Sequence, residues 1–320
     1  MRVSFKRALN AINEFVESKK FNEKVLGIIV FGSFAKGTLH KTSDIDIMLL
    51  MNGGRYVRKI EDHDGLKFEV YMVPIETFTS PLNGEGDLFF DMFRLQVLRT
   101  GKILYDRERL LSRLSFEAIN RKIPNYYEKK MLNKAYKRLR SAEKYLWAGR
   151  LKHANFELQA ASIDVARTLL LRTNEPEINI PRLLIPHLRR TYPDFYKVFR
   201  EIHGLDNLGG ADIELKVTNS LDHLRKIADK YGVVKAFRSV IKRAEHELLN
   251  AKDCLEHGDY DSATLQLRLS TFILNRYLPI NHKFPCNMHD FSGCHLAESP
   301  INIKEQLNTL RNAIAAHEFF

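Results

Sequence analysis

The stretch Gly-Ser-Phe-Ala-Lys-Gly-Thr-Leu-His-Lys-Thr-Ser-Asp-Ile-Asp, from Gly32 to Asp46, decides the fold of the amino-terminal part of this chain. An apolar run, Val25-Leu-Gly-Ile-Ile-Val-Phe31, leads into it, and a second, Ile45-Asp-Ile-Met-Leu-Leu-Met51, leads out of it. Both runs are short, rich in β-branched or aromatic residues, and bounded by turn residues. This pattern predicts two buried strands joined by the quoted segment.

The turn between the two predicted strands has the chemistry of a phosphate site. Gly32 allows a sharp turn and leaves no Cβ in the way of a phosphate, and Ser33 offers a hydroxyl and a backbone N–H. Asp44 and Asp46 lie two residues apart where a strand starts, so their carboxylates face the same side. Two carboxylates beside such a turn predict a site for a divalent metal and a nucleoside triphosphate.

The Gly-Ser pair, the later Gly37 and Ser43-Asp-Ile-Asp46 resemble the nucleotidyltransferase signature of the DNA polymerase β superfamily, above all its minimal and kanamycin-type members. The alternative is that this segment is an ordinary surface loop followed by a strand with capping aspartates. The resemblance implies transfer of NMP from an NTP, with ATP the first candidate, to a hydroxyl acceptor, with two Mg²⁺ ions and release of pyrophosphate. It assigns catalysis and metal binding to Asp44 and Asp46. The residues that it assigns to nucleotide binding are Gly32, Ser33, Lys36, Gly37 and Ser43.

A third carboxylate is expected on a neighbouring strand, because members of the superfamily carry one there. In Lys67-Phe-Glu-Val-Tyr-Met-Val73, alternation places Glu69 on the same face as Tyr71 and Val73. Glu69 is therefore the third predicted catalytic and metal-binding residue, although the family pattern usually has Asp. The alternatives are that Glu69 is an exposed strand residue and that Asp64 or His63 takes its place.

The rest of residues 1–110 completes a small domain with a mixed sheet. Amphipathic spacing predicts a helix over residues 4–20, and turn residues around Asp62–Gly65 predict a hairpin. Ser80–Gly86 has the composition of a loop. A helix over Asp87–Arg99 and a strand over Ile103–Asp106 follow.

The chain then becomes helical and contains an internal repeat. Ala142-Glu-Lys-Tyr-Leu-Trp-Ala-Gly149 is echoed by Ala251-Lys-Asp-Cys-Leu-Glu-His-Gly258, 109 residues later. Each copy reads as a helix, a glycine turn and a second helix. We therefore predict the α+β class: residues 1–110 form the mixed-sheet domain, followed by two tandem helical bundles at 111–210 and 211–320.

The helical region resembles HEPN-type and kanamycin-nucleotidyltransferase bundles. Its last segment, Leu310-Arg-Asn-Ala-Ile-Ala-Ala-His317, is similar to the Arg-x(4–6)-His element of HEPN ribonucleases. That resemblance implies that Arg311 stabilises phosphate charge and that His317 acts as acid or base on RNA. An RNA-cleaving bundle restrained by the first domain is therefore the alternative function.

Charge suggests a polyanionic acceptor, and the alternative is a solvated helix face in a lysine-rich protein. The chain carries a formal net charge of +11, and residues 121–152 hold 11 basic residues against Glu128 and Glu143. This favours RNA and disfavours polycationic aminoglycosides, while a protein hydroxyl stays an alternative acceptor. Trp147 and four tyrosines in the block, at 126, 127, 136 and 145, suit base stacking or a helical core.

Composition excludes other classes of protein. Three cysteines do not indicate a disulfide framework, and no apolar run approaches the roughly 20 residues of a membrane span. Without a signal-like start, we expect a cytoplasmic protein with no membrane partner and a possible homodimer through the helical bundles. Cys286, His289, Cys294 and His295 could bind zinc, but their spacing is uncommon and free cysteines are the alternative.

Overall fold

The computed structural model describes residues 5–37, 44–63, 65–78, 80–83, 86–179, 181–206, 209–231, 235–277 and 300–317. The chain divides into two compact units. The first contains Met1–Tyr127 and Asn174–Glu177, and the second contains Glu128–Thr173 and Ile178–Phe320. The predicted limits at residues 110 and 210 stay predictions about domains; both predicted bundles fall mainly in the second unit.

The first unit contains a five-stranded mixed sheet, as the sequence predicts. Its strands are β1 (Val25–Phe31), β2 (Ile45–Met51), β3 (Val57–His63), β4 (Leu66–Pro74) and β5 (Lys102–Asp106). The strand order is β3-β4-β2-β1-β5, in which β2 and β4 run parallel and the other neighbours run antiparallel. The bounds of β1 and β2 coincide with the two apolar runs, because turn residues bound each run.

Helices complete this unit. They are α1 (Phe5–Lys20), α2 (Gly32–Lys36), α3 (Ser80–Asn83), α4 (Leu88–Thr100) and α5 (Leu110–Asn120). The apolar face of α1, including Ile12 and Phe15, joins one core cluster with Ile28, Ile47 and Phe68 of the sheet. One face of the sheet is thus covered by α1, and Asp46 and Glu69, which alternate along their strands with these core residues, lie on the other face.

One local feature differs from the prediction, and a second adds detail to a predicted helix. Ser80–Asn83 forms one helical turn where a loop was predicted, because proline, here Pro81, is favoured in the first turn of a helix. Asp87 caps α4 by accepting hydrogen bonds from the N–H groups of Phe89 and Phe90, at 3.0 and 3.2 Å.

Arg99 ties the segment Asn174–Glu177 to the first unit. Its Nη1 donates to the Asn174 carbonyl at 2.7 Å, and its Nη2 donates to Asn174 Oδ1 at 2.9 Å. The same guanidinium donates to the carbonyls of Ala118 and Arg121. One arginine on α4 therefore holds α5 and a distant segment of chain in one compact body.

Asp91 is the buried polar centre of the first unit. Its carboxylate is fully buried and accepts hydrogen bonds from Ser80 Oγ at 2.6 Å and from Arg94 Nη1 at 3.0 Å. The Tyr127 hydroxyl donates to the other oxygen, and burial and this carboxylate raise the pKa of Tyr127. Tyr127 therefore stays a protonated donor, and a buried charge is satisfied from three sides.

The second unit is helical. Its helices include α6 (Asn125–Trp147, which begins in the first unit), α7 (Leu151–Arg172), α8 (Pro181–Thr191), α9 (Pro193–His203), α10 (Gly210–Tyr231), α11 (Lys235–Glu256), α12 (Tyr260–Tyr277) and α13 (Pro300–Ala316). Within the described part of the chain, no helix is both long and apolar enough to span a membrane. The predicted α+β class, a mixed sheet followed by helices, is confirmed.

Both copies of the predicted repeat form the same helical hairpin. Gly149 between α6 and α7 and Gly258 between α11 and α12 have φ values of 69° and 73°. After each glycine, the next residue's N–H bonds the carbonyl five positions back: Arg150 to Tyr145 and Asp259 to Cys254. This is the Schellman ending that a glycine in the left-handed region permits.

We predict that Tyr127→Phe lowers the free energy of unfolding by about 1.5–3 kcal/mol, because the buried Asp91 carboxylate loses a donor. Chemical denaturation measures this. Tyr126→Phe is the matched control, since Tyr126 is 50% exposed, and it should change stability by less than about 0.5 kcal/mol. Equal effects of the two substitutions would contradict the role given to the network.

Candidate active site

Two of the three predicted carboxylates, Asp46 and Glu69, lie in one row across the sheet. Asp46 on β2 is the cross-strand partner of Phe31 on β1 and of Glu69 on β4. Side chains of residues in one such row point to the same face of a sheet. Asp44 precedes β2 and is partly buried, as is Asp46. The register therefore brings Asp46 and Glu69 together and places Asp44 at the start of the strand beside them.

Gly32 packs directly against the Asp46 carboxylate. Its φ is 69°, a left-handed value that side chains other than glycine rarely adopt. A Cβ at this position would overlap Oδ2 of Asp46 and lie 3.1 Å from its Cγ. Glycine is required here both for the turn from β1 into α2 and for the position of the carboxylate.

Glu69 is held by two partners that the sequence did not reveal. The Arg58 guanidinium on β3 forms an ion pair with the Glu69 carboxylate, and the Tyr71 hydroxyl hydrogen-bonds to it. Burial, and then the charges of Glu69 and Asp46, raise the pKa of Tyr71, so this phenol remains a donor. The hairpin register, in which Arg58 is opposite Tyr71, is the signal that could have indicated Arg58.

Aromatic rings support this face of the sheet. The ring centroids of Phe31 and Tyr71 are 5.4 Å apart, and the Phe93 ring of α4 lies 5.4 and 5.5 Å from them. The Arg58 guanidinium lies over the Tyr71 ring, 5.5 Å from its centroid. The row formed by Asp46 and Glu69 is thus bordered by the rings of Phe31, Tyr71 and Phe93. Their packing restricts the rotamers of the residues next to them.

Lys36, the predicted phosphate-binding lysine, has a carboxylate partner. Its Nζ forms an ion pair with Glu177, whose same oxygen accepts a hydrogen bond from Gln96 Nε2 at 2.6 Å. Glu177 lies 141 residues from Lys36 in the chain, so no local pattern could have predicted the pair. The Glu177 side chain is only 10% exposed, so a phosphate that binds Lys36 would replace a partly buried partner.

The donor set fits magnesium, although the protein alone does not form a complete cage. Among the described residues, no three histidine, cysteine, aspartate or glutamate side chains are grouped so that they could hold one ion. Mg²⁺ is commonly held by one or two carboxylates together with substrate phosphates, and Asp44 and Asp46 offer such oxygen ligands. The third predicted ligand, Glu69, is engaged by Arg58.

Other predicted residues lie elsewhere or outside the described residues. Gly37 ends α2 with a φ of 74°, and its N–H bonds the Phe34 carbonyl. Ser43 falls outside the described residues, as does the segment with the possible zinc ligands, Cys286, His289, Cys294 and His295.

Arg311 and His317 have different neighbours in the second unit. Arg311 forms an ion pair with Glu143 of α6. The His317 ring contacts Tyr192 and Phe195, with centroid distances of 5.5 and 6.3 Å. Burial and the nearby Arg172 lower the pKa of His317, which favours the neutral ring. Arg311 therefore contacts α6, whereas the His317 ring packs against Tyr192 and against Phe195 of α9.

Comparison with known proteins bears on the amino-terminal part of the chain. Residues 12–96 match the family model described as the nucleotidyltransferase domain. The chain carries a nucleotidyltransferase domain. The match includes all the residues predicted to bind metal or nucleotide, and it supports an enzyme that transfers nucleotidyl groups in general.

The structure is similar to that of a nucleotidyltransferase-like protein from Exiguobacterium sibiricum 255-15, over 95% of this chain and 91% of that one, with 14% identity and a TM-score of 0.46. A search of curated proteins found no significant match. The nucleotidyltransferase domain match ends at residue 96 and leaves the HEPN resemblance of the helical region a prediction.

We predict that Gly32→Ala lowers nucleotidyl transfer by about 100-fold or more, because the added Cβ displaces the Asp46 carboxylate from its reactive position. Steady-state transfer assays measure this. Gly53→Ala is the matched control: its φ of 75° gives similar backbone strain, but its Cβ would have no neighbour within 4 Å. A loss of transfer as large for Gly53→Ala as for Gly32→Ala would contradict the steric explanation.

Proposed function

We propose that this protein transfers NMP from a nucleoside triphosphate, with ATP the first donor to test, to a hydroxyl group of RNA. The observation that carries the reaction is the carboxylate row, in which Asp46 lies against Gly32 and opposite Glu69 within a nucleotidyltransferase domain. The observation that favours RNA is an exposed basic surface on α6.

Different residues of the chain would hold the metal ions, the phosphates and the acceptor hydroxyl. Asp44 and Asp46 would hold two Mg²⁺ ions, which when bound would neutralise the triphosphate and lower the pKa of the acceptor hydroxyl. Gly32 and Ser33 would position the β- and γ-phosphates, and Lys36 would exchange Glu177 for their negative charge. Glu69, fixed by Arg58 and Tyr71, would either complete the carboxylate set or accept the proton of the attacking hydroxyl.

The proposed products follow from this arrangement. The acceptor oxygen forms a bond to the α-phosphorus, the bond from that phosphorus to the β-phosphate bridge breaks, and pyrophosphate leaves with the bonding electrons. The proton of the acceptor hydroxyl passes to Glu69 or to solvent. Catalysis of such a transfer consists mainly of positioning and charge neutralisation, which the Mg²⁺ ions held by Asp44 and Asp46 would supply.

The surface proposed to bind RNA is a stripe along α6, hereafter the α6 stripe. Its members are exposed, and their spacing of three, four or seven residues places them on one side of the helix. They are Lys130, Lys137, Arg140, Lys144 and Trp147. The stripe extends over about 25 Å at the helical rise per residue. Trp147 is 89% exposed, as a base-stacking ring would be and a core residue would not.

Removal of either aspartate tests the reaction. We predict that Asp44→Asn and Asp46→Asn each lower transfer by about 1000-fold, because several kcal/mol of charge stabilisation are lost. Asp62→Asn is the control, since Asp62 is an exposed carboxylate on β3 that caps the hairpin turn. Unfolding curves should show that the aspartate variants remain folded. Full turnover in either variant would refute the assignment.

The acceptor is tested by incubation of the protein with Mg²⁺, each α-labelled NTP in turn, and total RNA. We expect label in RNA, and we expect Lys137→Ala/Arg140→Ala/Lys144→Ala to flatten the salt dependence of RNA binding by about 0.7 per lost phosphate contact. Arg225→Ala is the control, because Arg225 is an exposed arginine on α10. Label in protein alone would contradict RNA as acceptor, and shortened RNA without label would favour the Arg311 and His317 alternative.

A further inference from the structure

An exposed strip runs along the edge strand β3, on the same face of the sheet as Glu69. Ile60 is the cross-strand partner of Glu69. Arg58, two residues earlier, is the partner of Tyr71, so its side chain lies on this face as well. Tyr56 continues the alternation before the strand begins. Because Tyr56 is 43% exposed and Ile60 is 58% exposed, the strip presents apolar surface to solvent beside a proposed catalytic carboxylate.

The first turn of α4 adds a second ring to the one of Tyr56. Phe90 is 53% exposed, and its ring centroid lies 6.2 Å from that of Tyr56, with 61° between the two ring planes. Phe93, one helical turn further on, packs on Tyr71. Tyr56 and Phe90, hereafter the aromatic pair, are thus two half-exposed rings next to the aromatic layer that borders the row of carboxylates.

The cations beside the aromatic pair already have carboxylate partners. Arg58 forms an ion pair with Glu69, and Arg94 forms one with the buried Asp91. The Arg94 guanidinium also lies over the Phe90 ring, 6.0 Å from its centroid. Two arginines and two carboxylates balance each other here. A ligand of the aromatic pair would therefore be held by the exposed rings and not by an unpaired charge.

The aromatic pair lies close to the row of carboxylates. Burial raises the pKa of Tyr56, the charge of Arg58 lowers it, and the charge of Glu69 raises it. A charge shifts the pKa of a neighbouring group appreciably only over a short distance. A ligand that stacks on Tyr56 and Phe90 would therefore have its attached groups beside Glu69.

The strand order places the aromatic pair on the acceptor side of the site. In the order β3-β4-β2-β1-β5, β4 and β3 lie on one side of β2, and β1 lies on the other. Gly32 and Ser33, proposed to hold the donor phosphates, follow β1, whereas Glu69, proposed to receive the acceptor proton, lies on β4. A triphosphate on the β1 side of Asp46 leaves the β3 side for the molecule that carries the attacking hydroxyl.

A nucleobase is the ligand that suits two half-exposed rings in this position. Every base has a π-face, and unpaired bases at the ends of RNA are commonly bound by stacking on aromatic side chains. We propose that Tyr56 and Phe90 stack on a base at the 3′ end of the acceptor RNA and thereby position its terminal hydroxyl beside Glu69. This assignment rests on the proposed transfer to RNA, and it gives that reaction an acceptor site within the nucleotidyltransferase domain.

The probe is a short oligouridine with 2-aminopurine at either of its last two positions, titrated into the full-length protein without nucleotide. Uridines stack weakly, so quenching of the 2-aminopurine fluorescence reports stacking on the protein. We expect saturable quenching from at least one 3′ position and none from 2-aminopurine at the 5′ end. Absence of quenching at both 3′ positions would overturn the proposal.

Ring variants test the two side chains. Tyr56→Leu/Phe90→Leu should remove the quenching and weaken binding of the oligouridine by about 10-fold, because the apolar volume remains but the stacking surface is lost. Tyr56→Phe should keep both, since the ring remains. Unchanged quenching in the double leucine variant, or a loss as large in Tyr56→Phe, would overturn the role given to the rings.

Phe21→Leu is the matched control. Phe21 is 77% exposed and has a cation over its ring, with Lys20 Nζ 5.1 Å from the centroid. It follows α1, which covers the opposite face of the sheet. Its substitution should leave the quenching unchanged. Loss of quenching in Phe21→Leu would show that exposed rings in general bind the probe, and it would overturn the assignment.

Steady-state transfer separates the acceptor site from the reaction. The double leucine variant should raise KM for RNA by about 10-fold and leave KM for ATP unchanged. A rise in KM for ATP alone would assign the rings to the donor base and overturn the acceptor site. Transfer by the variant with an unchanged KM for RNA would also overturn the site, while the proposed reaction would stand. Ring-dependent quenching without any transfer by the wild-type protein would refute the reaction and support the RNA site.

Discussion

The contact between the Gly32 backbone and the Asp46 carboxylate is the constraint on which the site depends. Gly32 follows β1 and begins α2, and Asp46 is the second residue of β2, so the two strands must approach at the point where the chain turns into α2. Only a residue without a Cβ can adopt the φ of 69° and leave room for the carboxylate. The register of the sheet then places Glu69 beside Asp46, and α1 closes the opposite face.

Charged side chains near the contact between Gly32 and Asp46 are arranged in ion pairs. Glu69 is bound by Arg58 and Lys36 by Glu177, so the carboxylate and the lysine expected to act on substrate each have an opposite charge next to them. Such pairing keeps ionised groups in a partly buried site without a large desolvation penalty. On the proposed function, a triphosphate would exchange these ion pairs for new ones, so its net gain in binding free energy would come from better geometry alone.

Local patterns predicted the strands and the Asp46 position, because an apolar run bounded by turn residues has few alternatives. The repeat likewise predicted both hairpins, since a glycine turn ends each first helix. The contact of Arg58 with Glu69 depends on the register of the β3–β4 hairpin, and Glu177 lies 141 positions from Lys36 in the chain. Neither partner could therefore be predicted from a local pattern.

The central claim is that Asp46, placed by Gly32, holds a metal and a triphosphate together. Electron paramagnetic resonance of Mn²⁺, titrated with the non-reactive donor α,β-methylene-ATP, measures this ternary complex directly. We predict that the wild-type protein binds Mn²⁺ and the analogue cooperatively and that Asp46→Asn weakens this binding by about 10-fold or more. Equal Mn²⁺ and analogue affinity in the two proteins would contradict the account.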